Sequence, residues 1–154
     1  MSKEIVSSAW ELEKGDHISC PTQAASGMLR HHAIVVKVIS DTVVRLIHVT
    51  AQQGHNSSSL VLSGAASGHS TPASVKEGNV DIGKLISNGD VYRYKYSPGG
   101  CLSPTEVIEN ARSGLKKEFK YNVFDNNCEH FARWCKTGKM ESHQAEKAKK
   151  MLSM

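Results

Sequence analysis

"HHAIVVKVISDTVVRLIHVT", residues 31–50, decides how the rest of the chain is read. Residues 31–39 are apolar and β-branched, which predicts a buried strand. Asp41 and Thr42 mark a turn, and residues 43–50 return as the partner strand of a hairpin. The hairpin carries histidines on both arms, His31 and His32 on the first and His48 on the second.

Working outward, "GDHISC" (15–20) reads as a turn feeding a short strand, and residues 1–13 as a polar lead-in. After the hairpin, residues 51–79 are rich in Gly, Ser and Ala and predict a long surface loop, with one short strand at Leu60–Leu62. "DVYRYKYS" (90–97) alternates as a strand, with Tyr92, Tyr94 and Tyr96 on one side as sheet packing. "SPTEVIENARSG" (103–114) is punctuated as a helix. Ser103 is its N-cap, Pro104 is at the first position, Glu106 completes a capping box, and Gly114 supplies the stop. Residues 119–124 are extended, and a second helix runs from about Asn127 to Thr137, ended by Gly138. Residues 14–138 therefore read as one α+β domain, followed by a polar, helix-prone tail at 139–154.

The chain has 154 residues, 39% of them hydrophobic and 22% charged, which suits one domain with a real core. Aromatics are only 6%, so aliphatic side chains fill most of that core. The net charge of +4 comes without a dense Lys/Arg stripe, which argues against a nucleic-acid partner while allowing loose affinity for an anionic membrane surface. The N-terminus lacks the apolar core of a signal peptide, and no run is long enough to span a membrane. Cys20, Cys101, Cys128 and Cys135 form no CxxC pair, so the expectation is free thiols in a reducing, cytoplasmic setting.

One of these cysteines has unusual company. In "DNNCEHFARWCKTG" (125–138), Cys128 follows two asparagines where a helix begins. Cys128, Phe131, Ala132 and Cys135 share one helical face, which should dock on the sheet with Cys128 in the first turn. Unpaired N–H groups and the helix dipole favour negative charge there, so a thiol in that position is suited to act as thiolate. Asn126 or Asn127 would cap the turn. Such a thiol needs a base, and histidine is the usual one near neutral pH. Of eight histidines, His55 and His69 lie in the long loop and His143 in the tail. His31 and His48 lie on adjacent strands, where cross-strand neighbours can touch. His32 falls on the other strand face and reads as structural, as does His130. Cys20 and Cys135 read as core, and the Cys/His spacings fit no usual zinc framework.

"HHAIVV" (31–36), "LIHV" (46–49) and "NCEHFARWCKTG" (127–138) together resemble the lecithin:retinol acyltransferase, or H-box/NC, family. That family includes the H-Ras-like suppressor phospholipase/acyltransferases, plant NC-domain proteins and certain picornaviral 2A proteins. The resemblance implies a circularly permuted papain-like fold of the NlpC type, with an antiparallel sheet packed against a helix that opens at the nucleophile. It further implies Cys128 as nucleophile, His31 as general base and His48 as the residue orienting it. The implied activity is attack on an acyl ester of a glycerophospholipid, then transfer of the acyl group from sulfur to water, an amine or an alcohol. The partner would be phospholipid or another acyl ester, met in transient contact with a membrane surface, with no metal and no organic cofactor. The alternatives are a cysteine peptidase or amidase, and a binding or regulatory module that keeps the fold without turnover.

Overall fold

The computed structural model describes residues 2–21, 30–51, 71–116, 118–121 and 128–139. Among these residues seven strands form one antiparallel sheet: β1 (Ser2–Ile5), β2 (His17–Pro21), β3 (Arg30–Val38), β4 (Val43–Ala51), β5 (Thr71–Asp81), β6 (Tyr92–Lys95) and β7 (Glu118–Tyr121). Their spatial order is β1-β6-β2-β3-β4-β5-β7. Three α-helices among the described residues complete the α+β arrangement: α1 (Gly83–Ser87), α2 (Pro104–Ser113) and α3 (Cys128–Thr137). Among the described residues no helix is long and apolar enough to cross a membrane.

The expected hairpin is the centre of the sheet. β3 and β4 pair with Ala33 opposite His48 and Ile34 opposite Ile47. Their turn is closed by the Ile39 N–H donating to Val43 O at 2.9 Å, and Ser40 Oγ accepts from Val43 N at 3.0 Å. Both faces of the hairpin are covered, which explains its unbroken apolar run. On one face Ile34, Val36, Ile47, Val49 and Val75 pack against Val107 and Ala111 of α2 and against Cys128, Phe131, Ala132 and Cys135 of α3. On the other, Ala33, Val35, Val44 and Leu46 pack with Ile18, Val6, Ala9, Leu12, Ile82 and Val91.

The capping box of α2 forms as expected: Ser103 accepts from the Glu106 N–H, and the Glu106 carboxylate accepts from the Ser103 N–H. Gly114 caps the helix differently. At φ −66° it stays right-handed and leads into a 3₁₀ turn, Gly114–Lys116, so no left-handed stop is used. Gly138, at φ +76°, does end α3 in the left-handed region, its N–H donating to Trp134 O at 2.7 Å. The last carbonyls of α3 are bonded by neighbours: Leu102 N–H donates to Lys136 O at 2.7 Å and Asn110 Nδ2 to Cys135 O at 3.2 Å. At α2's other end Arg112 meets Glu77 of β5 at 3.1 Å, and Arg45 of β4 reaches the same carboxylate at 2.7 Å.

Two readings of the chain change. Ser2–Ile5 of the lead-in enters the sheet as β1, paired with β6. The end of the expected 51–79 loop is β5, which pairs along the whole length of β4, from Val43↔Asp81 to Ala51↔Ala73. β5 was hidden because Val75 and Val80 are its only large apolar residues, and its pairing rests on backbone hydrogen bonds to β4. Leu60–Leu62, Asn126, Asn127 and the tail from residue 140 lie outside the described residues.

Gly15 joins the β2 entry to the start of α2. Its φ is +86°, its N–H donates to Val35 O at 2.7 Å, and an added Cβ would lie 2.9 Å from Pro104 Cα. Gly89, at φ +72°, faces open space. Gly15→Ala is expected to destabilise by roughly 2–3 kcal/mol, from a left-handed residue plus a backbone clash, and Gly89→Ala by about 1 kcal/mol. Urea unfolding midpoints of the two variants check the order.

Candidate active site

His31 and His48 meet inside the sheet. His31 Nε2 lies 3.2 Å from His48 Nδ1, with the rings edge-on at 69°. Because Ala33 is directly opposite His48, the two imidazoles are diagonal neighbours across the strands. They share the face of Ala33, Val35, Val44 and Leu46. His31 has no exposed surface, and its second ring nitrogen, Nδ1, is buried without a hydrogen bond. Burial, then His48 and His32, pushes the His31 pKa well below its ordinary value, so the ring is neutral at pH 7. Burial lowers His48 to about 4.

Cys128 is the first residue of α3 and only 3% exposed. Its side chain belongs to the cluster of Ile34, Val36, Phe131, Ala132 and Cys135, so the helix docks by the face that the i, i+3, i+4, i+7 spacing predicts. The thiol donates to the carbonyl oxygen of Arg30 at 3.4 Å, the residue immediately before His31. Sulfur and base are thus brought to the same peptide link, at the start of β3, without being hydrogen-bonded to each other.

Strand alternation sets which face is which. α3 covers the side of Ile34 and Val36, and this is the side of His32, not of His31. Cys128 therefore meets β3 at its end, where the Arg30–His31 peptide is reached from both faces. Arg30 anchors that end: Nε donates to Ser19 Oγ at 2.8 Å and Nη2 to Ser19 O at 3.1 Å and to Asp90 O. Its guanidinium lies 4.1 Å from the centre of the Tyr92 ring.

His17, one of the eight histidines, and Tyr96, expected as sheet packing, are linked in the structure. His17 Nε2 is 2.8 Å from His32 Nδ1, and His17 Nδ1 is 2.9 Å from the Tyr96 hydroxyl. Tyr94 stacks on His17 at 4.4 Å and its hydroxyl meets Ser19 Oγ at 2.9 Å. The signal was present as two period-2 patterns, His17/Ser19 and Tyr92/Tyr94/Tyr96, but only the register that sets His17 opposite Tyr94 and Ser19 opposite His32 joins them. Burial first, then neighbouring charge, lowers His17 well below its ordinary value and His32 to about 3.

The remaining residues divide clearly. Cys20 and Cys135 are buried, and burial pushes the Cys20 thiol up to about 12 and the Cys135 thiol up as well, consistent with packing. Cys101 is exposed. His130 is buried on α3. His55, His69 and His143 lie outside the described residues.

The buried imidazoles make stability pH-dependent. His48 binds its proton less readily when folded, at about 4, than when unfolded, near 6.5. Its contribution is complete above about pH 6.5 and is lost as pH falls toward 4, on the order of 3 kcal/mol. His17, His31 and His32 act in the same direction. The urea midpoint is expected to fall continuously between pH 7 and 4.5, and His48→Gln to flatten part of that slope.

No curated protein matches the chain. The profile described as lecithin retinol acyltransferase matches residues 10–141, which takes in both histidine strands and the whole of α3. On that match, and with the antiparallel sheet and Cys128-opening helix in place, the chain belongs to the lecithin retinol acyltransferase family.

Proposed function

We propose that the protein is a thiol hydrolase or acyltransferase acting on acyl esters of glycerophospholipids, with Cys128 as nucleophile, His31 as general base and His48 orienting that base. Family membership supports acyl-transfer or phospholipase-like chemistry in general. One observation carries the residue assignment: His31 has Nε2 engaged by His48 and Nδ1 buried without a partner, beside the peptide whose carbonyl receives the Cys128 thiol.

The tautomer follows from that arrangement. When His31 Nε2–H donates to His48 Nδ1, the lone pair of His31 is left on Nδ1. A neutral imidazole so arranged can take the thiol proton once the thiol turns from the Arg30 carbonyl toward Nδ1, the movement this mechanism requires. The sulfur then adds to the ester carbonyl, and the alcohol leaves with the proton from His31. The acyl group stays on Cys128 as a thioester until water, an amine or an alcohol takes it. His48 holds the ring and supports the charge that His31 gains during the step. Phospholipid reaches such a site from a membrane surface, so transient surface contact belongs to this reading.

Incubation with phosphatidylcholine vesicles is expected to add one acyl mass to Cys128, detected on the intact protein and located by peptide mapping, and to release fatty acid. Cys128→Ala is expected to show neither. A wild-type thiol that stays unacylated, and unreactive toward iodoacetamide at neutral pH, would overturn the assignment. His31→Ala is expected to lower kcat by about 10²–10⁴-fold. His48→Phe is expected to lose roughly tenfold or more with KM little changed, because it perturbs the base and not the binding of lipid.

A further inference from the structure

β3 carries imidazoles on both faces, and the reaction above uses one. The other, His32, heads a polar chain on the α3 side that runs through buried His17 to the half-buried Tyr96 hydroxyl. Two imidazoles and a phenol in an apolar sheet are costly to bury unless they are hydrogen-bonded, and this chain is bonded at every internal position. The chain ends at the outer nitrogen of His32, Nε2.

The direction of the hydrogen bonds can be worked out from the end. Burial pushes the Tyr96 pKa upward, so the phenol keeps its proton. When its hydroxyl donates to His17 Nδ1, its partner among the described residues, the order along the chain follows. His17 then carries its own proton on Nε2 and donates to His32 Nδ1, which leaves the His32 proton on Nε2. The charged groups around the pair are cationic: Arg30 on β3, Lys3 on β1, and Arg133 and Lys136 on α3, with Lys136 Nζ 5.2 Å from the Tyr96 ring centre. Burial and these cations keep both rings neutral. Glu129 of α3 faces Tyr96.

We propose that His32 is the electrophilic donor of the site, its Nε2–H receiving the negative charge that develops on the acyl carbonyl oxygen when the Cys128 sulfur adds to the carbonyl carbon. His17 and Tyr96 are positioning residues that fix the tautomer of His32. The proposal rests on the thiol-enzyme reading. In the step the C–S bond forms, the C=O π pair moves to oxygen, and His32 donates a hydrogen bond without transferring its proton. The pair returns as the C–O bond to the alcohol breaks. His32 alternates with Ile34 and Val36 toward α3, in the layer that also holds Cys128, and Arg30, two residues earlier on that face, accepts the thiol. A neutral imidazole is the form that can polarise a carbonyl, and donors aimed at a developing oxyanion contribute most where water is excluded.

Long-range ¹H–¹⁵N correlation on the full chain at pH 7 reads the tautomer directly. The expected result is His32 protonated at Nε2 and bare at Nδ1, with Tyr96→Phe giving a mixture. Single-turnover acylation by p-nitrophenyl butyrate is expected to slow about 100-fold in His32→Phe. Alkylation of Cys128 by iodoacetamide, which forms no oxyanion, is expected to be unchanged. His32→Gln, which retains an N–H donor, should recover part of the loss. A His32 proton found on Nδ1, wild-type acylation by His32→Phe, or acylation and alkylation falling together would each overturn the proposal. A wild-type chain that never acylates removes the thiol reading and this proposal together, whereas acylation that ignores His32 removes the proposal alone. Should His32→Phe not fold, the tautomer in the wild type decides.

Discussion

The pairing of β3 with β4 is the constraint on which the rest of this structure depends. That hairpin is the wall between two cores, with Ile34, Val36, Ile47 and Val49 facing one and Ala33, Val35, Val44 and Leu46 the other. A slip of one residue would exchange Ile34 and Ile47 for Ala33 and His48 on the helix side and send the His31–His48 pair into the α3 packing layer. The burial of both faces makes this expensive, so the register that builds the core also fixes the site. The irregularity between Val35 and Lys37 lies beyond the histidines and leaves their pairing intact.

Four imidazoles are buried in this sheet, and the fold accommodates them by pairing them across strands. His31 bonds His48 between β3 and β4, and His17 bonds His32 between β2 and β3. Each pair satisfies nitrogens that would otherwise be desolvated without compensation. Both pairs hold their rings neutral, since charging either imidazole in an apolar layer is unfavourable. Neutral rings held on paired strands are suited to proton transfer and to hydrogen-bond donation, because the rings themselves need little reorganisation.

The three buried cysteines differ in position more than in burial. Cys20 and Cys135 are enclosed by apolar neighbours, and burial holds them as thiols. Cys128 is as buried as they are, yet it opens a helix and lies against a backbone carbonyl at the end of a strand. α3 is held there from its far end, by Leu102, Asn110 and Gly138, and by Lys136 donating to Gly15 O at 3.0 Å. The thiol is placed by contacts a full helix length away from it.

The hairpin, the capping box of α2, the docking face of α3 and the Gly138 stop were all legible in the chain, because each is a local pattern with a local physical cause. So was the adjacency of His31 and His48, since a short turn leaves few registers for two apolar strands. β1 and β5 were not legible: Glu4, Lys76 and Gly78 carry no apolar alternation, and those strands form because a partner edge supplies the hydrogen bonds. Nor could the chain say which face of β3 receives α3. Alternation sets His31 and His32 on opposite sides, but it is symmetric between the two. Only the long-range packing of Phe131, Ala132 and Cys135 on Ile34 and Val36 breaks that symmetry, leaving the thiol at the strand's end and a second chain of imidazoles beside it.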